Sequence, residues 1–410
     1  MKIEDLALQR SKYKHLSDEE WRWFLQQVEG RERTADKLPT FAAIDDWWYP
    51  VRLSCEQCSS ELTARYKASL LSAISHQHSA FVDLTGGYGV DTYFLSEHFA
   101  HTDYVEQNEE LCRIAAHNFN VQSDKVQSTK VSVHNTSAEN FLKTAGTYDL
   151  IYMDPARRDS HGGKVFRLAD CSPNVVELLP TLLQHLTPNG QLMFKLSPML
   201  DITQAIKELS PITNNLSPIY WDVYVVAVKN EVKEVLLVGT KGQSTMYKGS
   251  ITAIDLAEPE KAFTFTREEE SNSAAVIPCN GLTAQRSYSP EDGQEKHSLF
   301  LYEPSAAILK AGAYKLVAER YSLQKLDVNT HLYCSDTLVE NFPGRIWRIQ
   351  SPITNHQLPI NQANVLVRNY PLTPEQLKKK LRVRDGGDTY IIACRVNGKP
   401  TCFTAERINH

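Results

Sequence analysis

The chain lacks any apolar run approaching the roughly 20 residues needed to cross a bilayer as a helix. Its opening stretch, MKIEDLALQRSKYKHLSDEEW, is charged and without the apolar core of a secretory leader, so a cytoplasmic protein with no membrane partner is expected. Metal-ligand spacing is nearly missing too. Of eight cysteines only Cys55 and Cys58 stand at ligand-like separation, and no second pair or histidine pair follows, so no metal is expected. The scattered cysteines read as reduced thiols, several of them buried. No internal repeat is visible, and the formal net charge is only −5.

What is present is 410 residues of ordinary globular composition, room for two or three domains. The mild acidity hides an asymmetry. Residues 361–410 hold nine Lys/Arg against four Asp/Glu, about +5, which leaves about −10 for the rest. A basic module on an acidic body points to a polyanion such as RNA. A solvated lysine-rich face accounts for the same charge, and charge alone leaves both open.

Residues 1–58 read as a helical region, with Trp21, Phe24 and Leu25 as one apolar face and Pro39 as an interruption. "SSELTARYKASLLSAI" reads as an amphipathic helix capped by Ser59 or Ser60, with Leu62, Tyr66, Leu70 and Ile74 along its apolar side. Strands and helices then alternate: "AFVDLT", "DYVEQ", "KVSVHN", "YDLIYMD" and "GQLMFKL" as strands, with helices such as "VDTYFLSEHF" and "NVVELLPTLLQHL" between them. This spacing predicts an α/β, Rossmann-like parallel sheet, and "DVYVVAVKNEVKEVLLVG" closes it as an antiparallel hairpin. A dinucleotide-binding dehydrogenase more often completes a sixth parallel strand. The polar runs "TREEESNSAA" and "SYSPEDGQEKHS" read as linkers. "EPSAAILKAGAYKLVAER" reads as helix, "THLYCSD" and "RIWRIQ" as strands, "TPEQLKKKL" as a helix capped by Thr373, and the last two segments as a hairpin.

The first strand ends in "VDLTGGYGVDT", where Gly86, Gly87 and Gly89 allow a tight turn before a helix N-terminus with free N–H groups. Such sheets bind ligands outside the carboxyl ends of their strands. Glu106, ending the second strand, can accept both hydroxyl protons of a ribose. Asp83 at the strand tip would repel a pyrophosphate and attract an ammonium or a sulfonium. These residues resemble the cofactor motifs of class I S-adenosylmethionine-dependent methyltransferases over roughly residues 55–240. The resemblance implies S-adenosyl-L-methionine as cofactor, with Asp83, Thr85, Gly86, Gly87, Gly89, Asp91, Glu106 and Glu139 as its binding set. Glu139 is explained equally well as an acid favoured by a helix dipole.

The fourth strand ends in Asp154-Pro155-Ala156-Arg157, followed by Arg158. An acid and a proline there resemble the motif of methyltransferases acting on exocyclic base amines. A carboxylate or the proline carbonyl can accept the amine's protons and align nitrogen on the methyl, and proline's fixed φ aims that carbonyl. The motif's usual aromatic is missing, and an arginine in its place can stack on a base or pair with phosphate. A 5-methyluridine enzyme would need a nucleophilic cysteine after the fifth strand, where "FKLSPML" has none; Cys171 lies earlier with no evident activating base.

"SSELTARYKASL" and "FRLADCSPNVVELLP" resemble segments of the trimethylguanosine-synthase group of guanine-N2 methyltransferases, which implies that Thr63 and Lys67 face the cofactor or substrate mouth. Periodicity alone reads both as ordinary surface positions. The region from "NVLVRNYPLTPEQLKKKL" onward resembles the THUMP-like domain of a family of bacterial class I methyltransferases, and the whole chain looks like a member of that family. It implies a methyltransferase domain over 59–265, a linker and small ferredoxin-like segment over 266–330, and an α+β THUMP-like domain over 331–410. Structured RNA, tRNA or rRNA, is the implied partner. Asp154 and Pro155 become the catalytic pair, and Arg157, Arg158, Lys67 and Lys195 the substrate contacts. The expected activity is methylation of a base amine, guanine N2 ahead of adenine N6. The alternatives are a protein or small-molecule methyltransferase, or an RNA-binding module that keeps the cofactor site as scaffold.

Overall fold

The structure is a computed structural model describing residues 6, 9–71, 79–125, 130–157, 167–216, 219–241, 249–274, 278–279, 299–353 and 360–408. The chain forms two compact units, one of Met1–Val223 with Glu234–Gly249 and one of Tyr224–Lys233 with Ser250–His410.

The first unit holds the expected sheet, except that residues 224–233 of its last two strands and their turn fall in the second. Its strands are β1 (Ala80–Asp83), β2 (His101–Glu106), β3 (Lys130–Asn135), β4 (Tyr148–Met153), β5 (Leu186–Leu196), β6 (Ile219–Val228) and β7 (Glu231–Lys241), in the order β3-β2-β1-β4-β5-β7-β6. The first five run parallel and β7 lies antiparallel to β5. Parallel strands covered on both faces must be apolar throughout; Phe81, Val82, Leu150, Ile151, Met193 and Phe194 accordingly have no exposed surface. Both neighbours of β1 are reached by crossovers, so the carboxyl ends of β1, β2 and β4 converge beside one cleft.

Ahead of the sheet stand α1 (Asp18–Thr34), α2 (Pro39–Ala42), α3 (Arg52–Gln57) and α4 (Glu61–Ser69). Ser17 and Glu20 close a capping box on α1, and Pro39 opens α2 at its first turn instead of breaking a helix. Phe41 and Trp47 pack on Tyr93 and Phe94 of α5 (Val90–Ser96), tying this region to the glycine turn's own helix.

One face is reversed from expectation. Ser60 caps α4, but its buried side carries Glu61, Thr63, Ala64, Lys67 and Ala68, while Leu62 is 46% exposed; Ile74 lies outside the described residues. The row of large apolar residues misled, because the buried row holds a lysine satisfied by Asp91 of α5 and Glu234 of the distant strand β7.

The second unit holds an antiparallel pair, β8 (Ser250–Asp255) and β9 (Phe263–Thr266), and a seven-stranded sheet. That sheet comprises β10 (Phe300–Pro304), β11 (Gln324–Asp327), β12 (Thr330–Ser335), β13 (Gly344–Pro352), β14 (Asn364–Arg368), β15 (Thr389–Val396) and β16 (Lys399–Arg407), ordered β11-β12-β10-β13-β16-β15-β14. Two expectations need correction. "TREEESN", expected as linker, contains a helix, Arg267–Asn272, closed by a capping box between Thr266 and Glu269; "SYSPEDGQEKHS" lies outside the described residues. The cysteines are not all thiols, since Cys279 and Cys334 are joined as a disulfide. The backbone N–H of Cys279 donates to the Lys325 carbonyl, which seats it beside β11, a pairing 55 residues apart that spacing could not reveal. Glu303, buried in this sheet, is ion-paired with Arg345 and Arg368.

Candidate active site

β1 delivers Asp83 to its carboxyl end, where the carboxylate is only 1% exposed. One oxygen accepts from the Thr85 backbone N–H at 2.9 Å and the other from the Thr92 hydroxyl at 2.6 Å. Burial pushes its pKa up to about 7, against those two hydrogen bonds and with help from the charges of Asp91 and Asp154.

The glycine turn follows. The Gly86 N–H donates to the Val105 carbonyl at 2.9 Å, and a Cβ there would sit 2.2 Å from the Tyr104 ring. Gly87, at φ +57°, donates its N–H to Glu106 at 2.9 Å, and its carbonyl accepts from the Tyr104 hydroxyl at 2.5 Å. Gly89, at φ +83°, opens α5. The turn therefore wraps β2's end, and Glu106 braces it while lining the cleft.

β4 delivers Asp154. Its N–H donates to the Thr85 hydroxyl at 2.6 Å, joining the two strand tips, and its carboxylate is paired with the Lys195 ammonium from β5. After Pro155, Ala156 and Arg157 pair with Ser172 and Cys171 as a two-residue ladder. Asp154 is 39% exposed and Lys195 14%. Burial pulls the Lys195 pKa down, but Asp154, Asp91 and Glu234 together outweigh it, and the net direction is up.

Behind this pair lies a buried ionic network. The Lys67 ammonium, with no exposed surface, sits 2.7 and 2.9 Å from the two oxygens of Glu234 and 3.2 Å from Asp91. Asp91 also accepts from the Ser59 hydroxyl at 2.7 Å and the Tyr152 hydroxyl at 2.6 Å. Burial alone would raise the Asp91 pKa; Lys67 and Lys195 overcome it and hold the group below its ordinary value. Burial keeps Glu234 raised despite Lys67.

The cleft measures about 430 Å³ and is lined by the glycine turn, Glu106, Gln107, Tyr152, Asp154, Ala156 and Pro173. Ser54, Gln57, Cys58 and Ser59 from the N-terminal region supply a further wall. Its lining carries four carboxylates, Asp83, Asp91, Glu106 and Asp154, and among the described residues no lysine, arginine or histidine.

Asp83, Thr85, Gly86, Gly87, Gly89, Asp91, Glu106 and Asp154 thus line one cleft, and Pro155 lies in sequence between two lining residues. Glu139 does not line it; it is exposed in the first turn of the helix Ala138–Leu142. Thr63 and Lys67 do not face the mouth, being buried in α4. Arg158 lies outside the described residues, and of Arg157 only the backbone pairing is described. Cys171 is no thiolate at neutral pH, because burial and then Asp170 push it up to about 11. Sequence reasoning missed Glu234 and Tyr152. The signal for Glu234 was an acid directly before the apolar run Val235–Val238.

Residues 300–343 match a family of ferredoxin-like domains, and residues 344–407 match the THUMP-like domains. A crystal structure described as a "putative methyltransferase" from Porphyromonas gingivalis W83 superposes on nearly the whole chain. Its TM-score is 0.78 at 29% identity, covering 96% of this chain and 92% of that one. The chain shares the fold of that protein over nearly its whole length and ends in a segment that matches the THUMP-like domains. Two smaller structures overlap part of it. One is described as a "putative methyltransferase" from Streptococcus mutans in complex with SAH (TM-score 0.32, 14% identity, 43% of this chain, 96% of that one). The other is an rRNA methylase from Streptococcus thermophilus (TM-score 0.33, 15% identity, 43% of this chain, 96% of that one). No curated protein matches the chain. No helix among the described residues is long and apolar enough to cross a membrane.

Proposed function

We propose that the chain transfers a methyl group from S-adenosyl-L-methionine to structured RNA. The observation that carries this reading is the charge of the cleft, four carboxylates with no basic side chain among its described lining. Such a lining suits a ligand bearing a sulfonium and an ammonium and opposes a dinucleotide's pyrophosphate. The backbone of Gly86–Gly89 and the carboxylates of Asp83, Asp91 and Glu106 would hold the cofactor, and Glu106, which lines the cleft at the end of β2, would take its ribose. The cofactor supplies an electrophilic methyl on a neutral leaving group.

Support for RNA comes from the THUMP-like segment and from its exposed cations. Lys379 and Lys380 end the helix Pro374–Leu381, and Arg382 and Arg384 follow it, all four exposed. The Asp154-Pro155 turn supports an exocyclic base amine as acceptor, guanine N2 first. A second reading, an oxygen acceptor, is favoured by one observation, the Lys195 ammonium seated on Asp154.

The test is transfer of labelled methyl from S-adenosylmethionine to bulk RNA of a strain lacking the protein, wild type beside Asp154→Ala. Label only with wild type is expected. Absence of label from every RNA, with S-adenosylhomocysteine still bound, would move the reading to a protein or small-molecule substrate or to a non-catalytic RNA-binding module.

A further inference from the structure

The acid at the end of β4 does not stand alone, and its partner separates two kinds of acceptor. An attacking amine becomes more positive as its bond to the methyl forms, so an ammonium seated on the carboxylate that receives it opposes the reaction. An attacking hydroxyl becomes more negative as its proton departs, and the same ammonium favours it. Lys195 is such an ammonium, and acids from three elements act on it. Asp154 comes from β4, Asp91 from α5 and Glu234 from β7, while Lys67 from α4 pairs with the last two. Burying four of these five ionised groups, Asp154 being the more exposed one, costs several kcal/mol per ion, and apolar replacements of such networks are commonly as stable. Stability therefore gives little reason to keep this arrangement beside a cleft.

A second observation is independent of charge. Directly after Asp154-Pro155 the described lining residue is Ala156, so at that position it offers no ring for a base, the aromatic rings of the described lining being Tyr88 and Tyr152. A ribose needs none.

We propose that the acceptor is a hydroxyl oxygen, the ribose 2′-hydroxyl of RNA, with Asp154 and Lys195 acting on it as a pair. This rests on the RNA methyltransferase reading above and takes its second acceptor, the oxygen, in place of the base amine. Asp154 takes the hydroxyl proton as the oxygen–carbon bond forms, and the Lys195 ammonium, seated on Asp154 behind the cleft lining, offsets the negative charge developing there through that carboxylate. The carbon–sulfur bond breaks with its electron pair on sulfur, giving a neutral thioether, and Asp154 returns the proton to water. Glu234, Asp91 and Lys67 are positioning residues that hold Lys195 against β4.

The deciding experiment is mass-spectrometric fragmentation of nucleosides from the RNA of a strain lacking the protein, after incubation with enzyme and labelled S-adenosylmethionine. A methyl that leaves with the ribose is the expected result. A methyl that stays on the base overturns the hydroxyl inference and leaves the RNA methyltransferase reading standing. No methyl in any RNA, with S-adenosylhomocysteine still bound, overturns both. Lys195→Met should lower transfer on the order of 10²–10³-fold, the usual loss for a charge-stabilising donor, with S-adenosylhomocysteine affinity kept. Lys195→Arg should restore part of the rate; for an amine acceptor, Lys195→Met would leave the rate unchanged or raise it. A readout free of turnover is NMR of ¹³C-lysine in the ligand-free protein. The Lys195 ammonium should persist above the ordinary lysine range and drop in Asp154→Asn; an identical titration in both proteins would sink the pair.

Discussion

Both carboxylate oxygens of Glu234 lie within 2.9 Å of the Lys67 ammonium, an ion pair 167 residues apart in sequence that joins α4 to β7. Neither side chain has appreciable contact with solvent, so each charge depends on the other. Lys67→Met should therefore destabilise the first unit by about 3–5 kcal/mol, because it strands a buried carboxylate. The double variant Lys67→Met/Glu234→Met should recover part of that loss. Five of the six tryptophans lie in this unit, so the urea midpoint followed by fluorescence reports it. Simple additivity of the two single losses would contradict the pairing.

Asp83 makes a prediction with a definite sign. Its folded-state pKa, about 7, stands above the unfolded carboxylate value, so the folded chain holds a proton that the unfolded chain has released. Stability is full below about pH 4 as far as this group is concerned and declines as pH rises to about 7, by on the order of 3–4 kcal/mol. Asp83→Asn should flatten that slope. Affinity for S-adenosylhomocysteine, whose ammonium the ionised carboxylate attracts, should rise between pH 6 and 8 in the wild type and stay level in Asp83→Asn, as titration calorimetry would show.

Gly86 leaves no room for a side chain. A Cβ would meet the Tyr104 ring at 2.2 Å, and that ring is held by its hydroxyl on the Gly87 carbonyl. Gly86→Ala should cost about 1–3 kcal/mol and weaken S-adenosylhomocysteine binding at least about tenfold, since the turn must shift. Gly146→Ala, where a Cβ meets nothing within 4 Å, is the control and should stay within about 0.5 kcal/mol of wild type.

The exposed cations of the THUMP-like domain should behave as phosphate contacts. Replacing Lys379 and Lys380 by glutamine is expected to weaken binding to bulk RNA uniformly across sequences. The slope of log affinity against log salt should fall by nearly one for each lysine. An unchanged slope would mean that these lysines merely solvate the helix.

Local patterns carried the sheet into view. Five apolar segments separated by helical ones, then two joined by a polar turn, gave the strands and the closing hairpin, and the acids Asp83, Glu106 and Asp154 announce their strand ends because a buried strand tolerates a carboxylate only where it leaves the core. What stayed hidden was non-local. The apolar row Leu62, Tyr66 and Leu70 imitated a buried face because nothing near it in sequence tells that Lys67 meets Glu234 and Asp91. The Cys279–Cys334 bond was hidden for the same reason, its partners being brought together only when β11 and β12 pair. Lys195 was legible as a cation near the site, but its hold on Asp154 required the adjacency of β4 and β5.

The wall formed by Ser54, Gln57, Cys58 and Ser59 changes what counts as the catalytic part of this chain. A border drawn at residue 59 separates Ser54, Gln57 and Cys58 from the rest of the cleft they line. It also removes Trp47, whose indole N–H donates to the Tyr88 hydroxyl at 2.9 Å beside the glycine turn. Trimming experiments that start there would report an inactive enzyme and assign the loss to folding. On the proposed reading, part of the wall that would enclose the cofactor belongs to the first sixty residues.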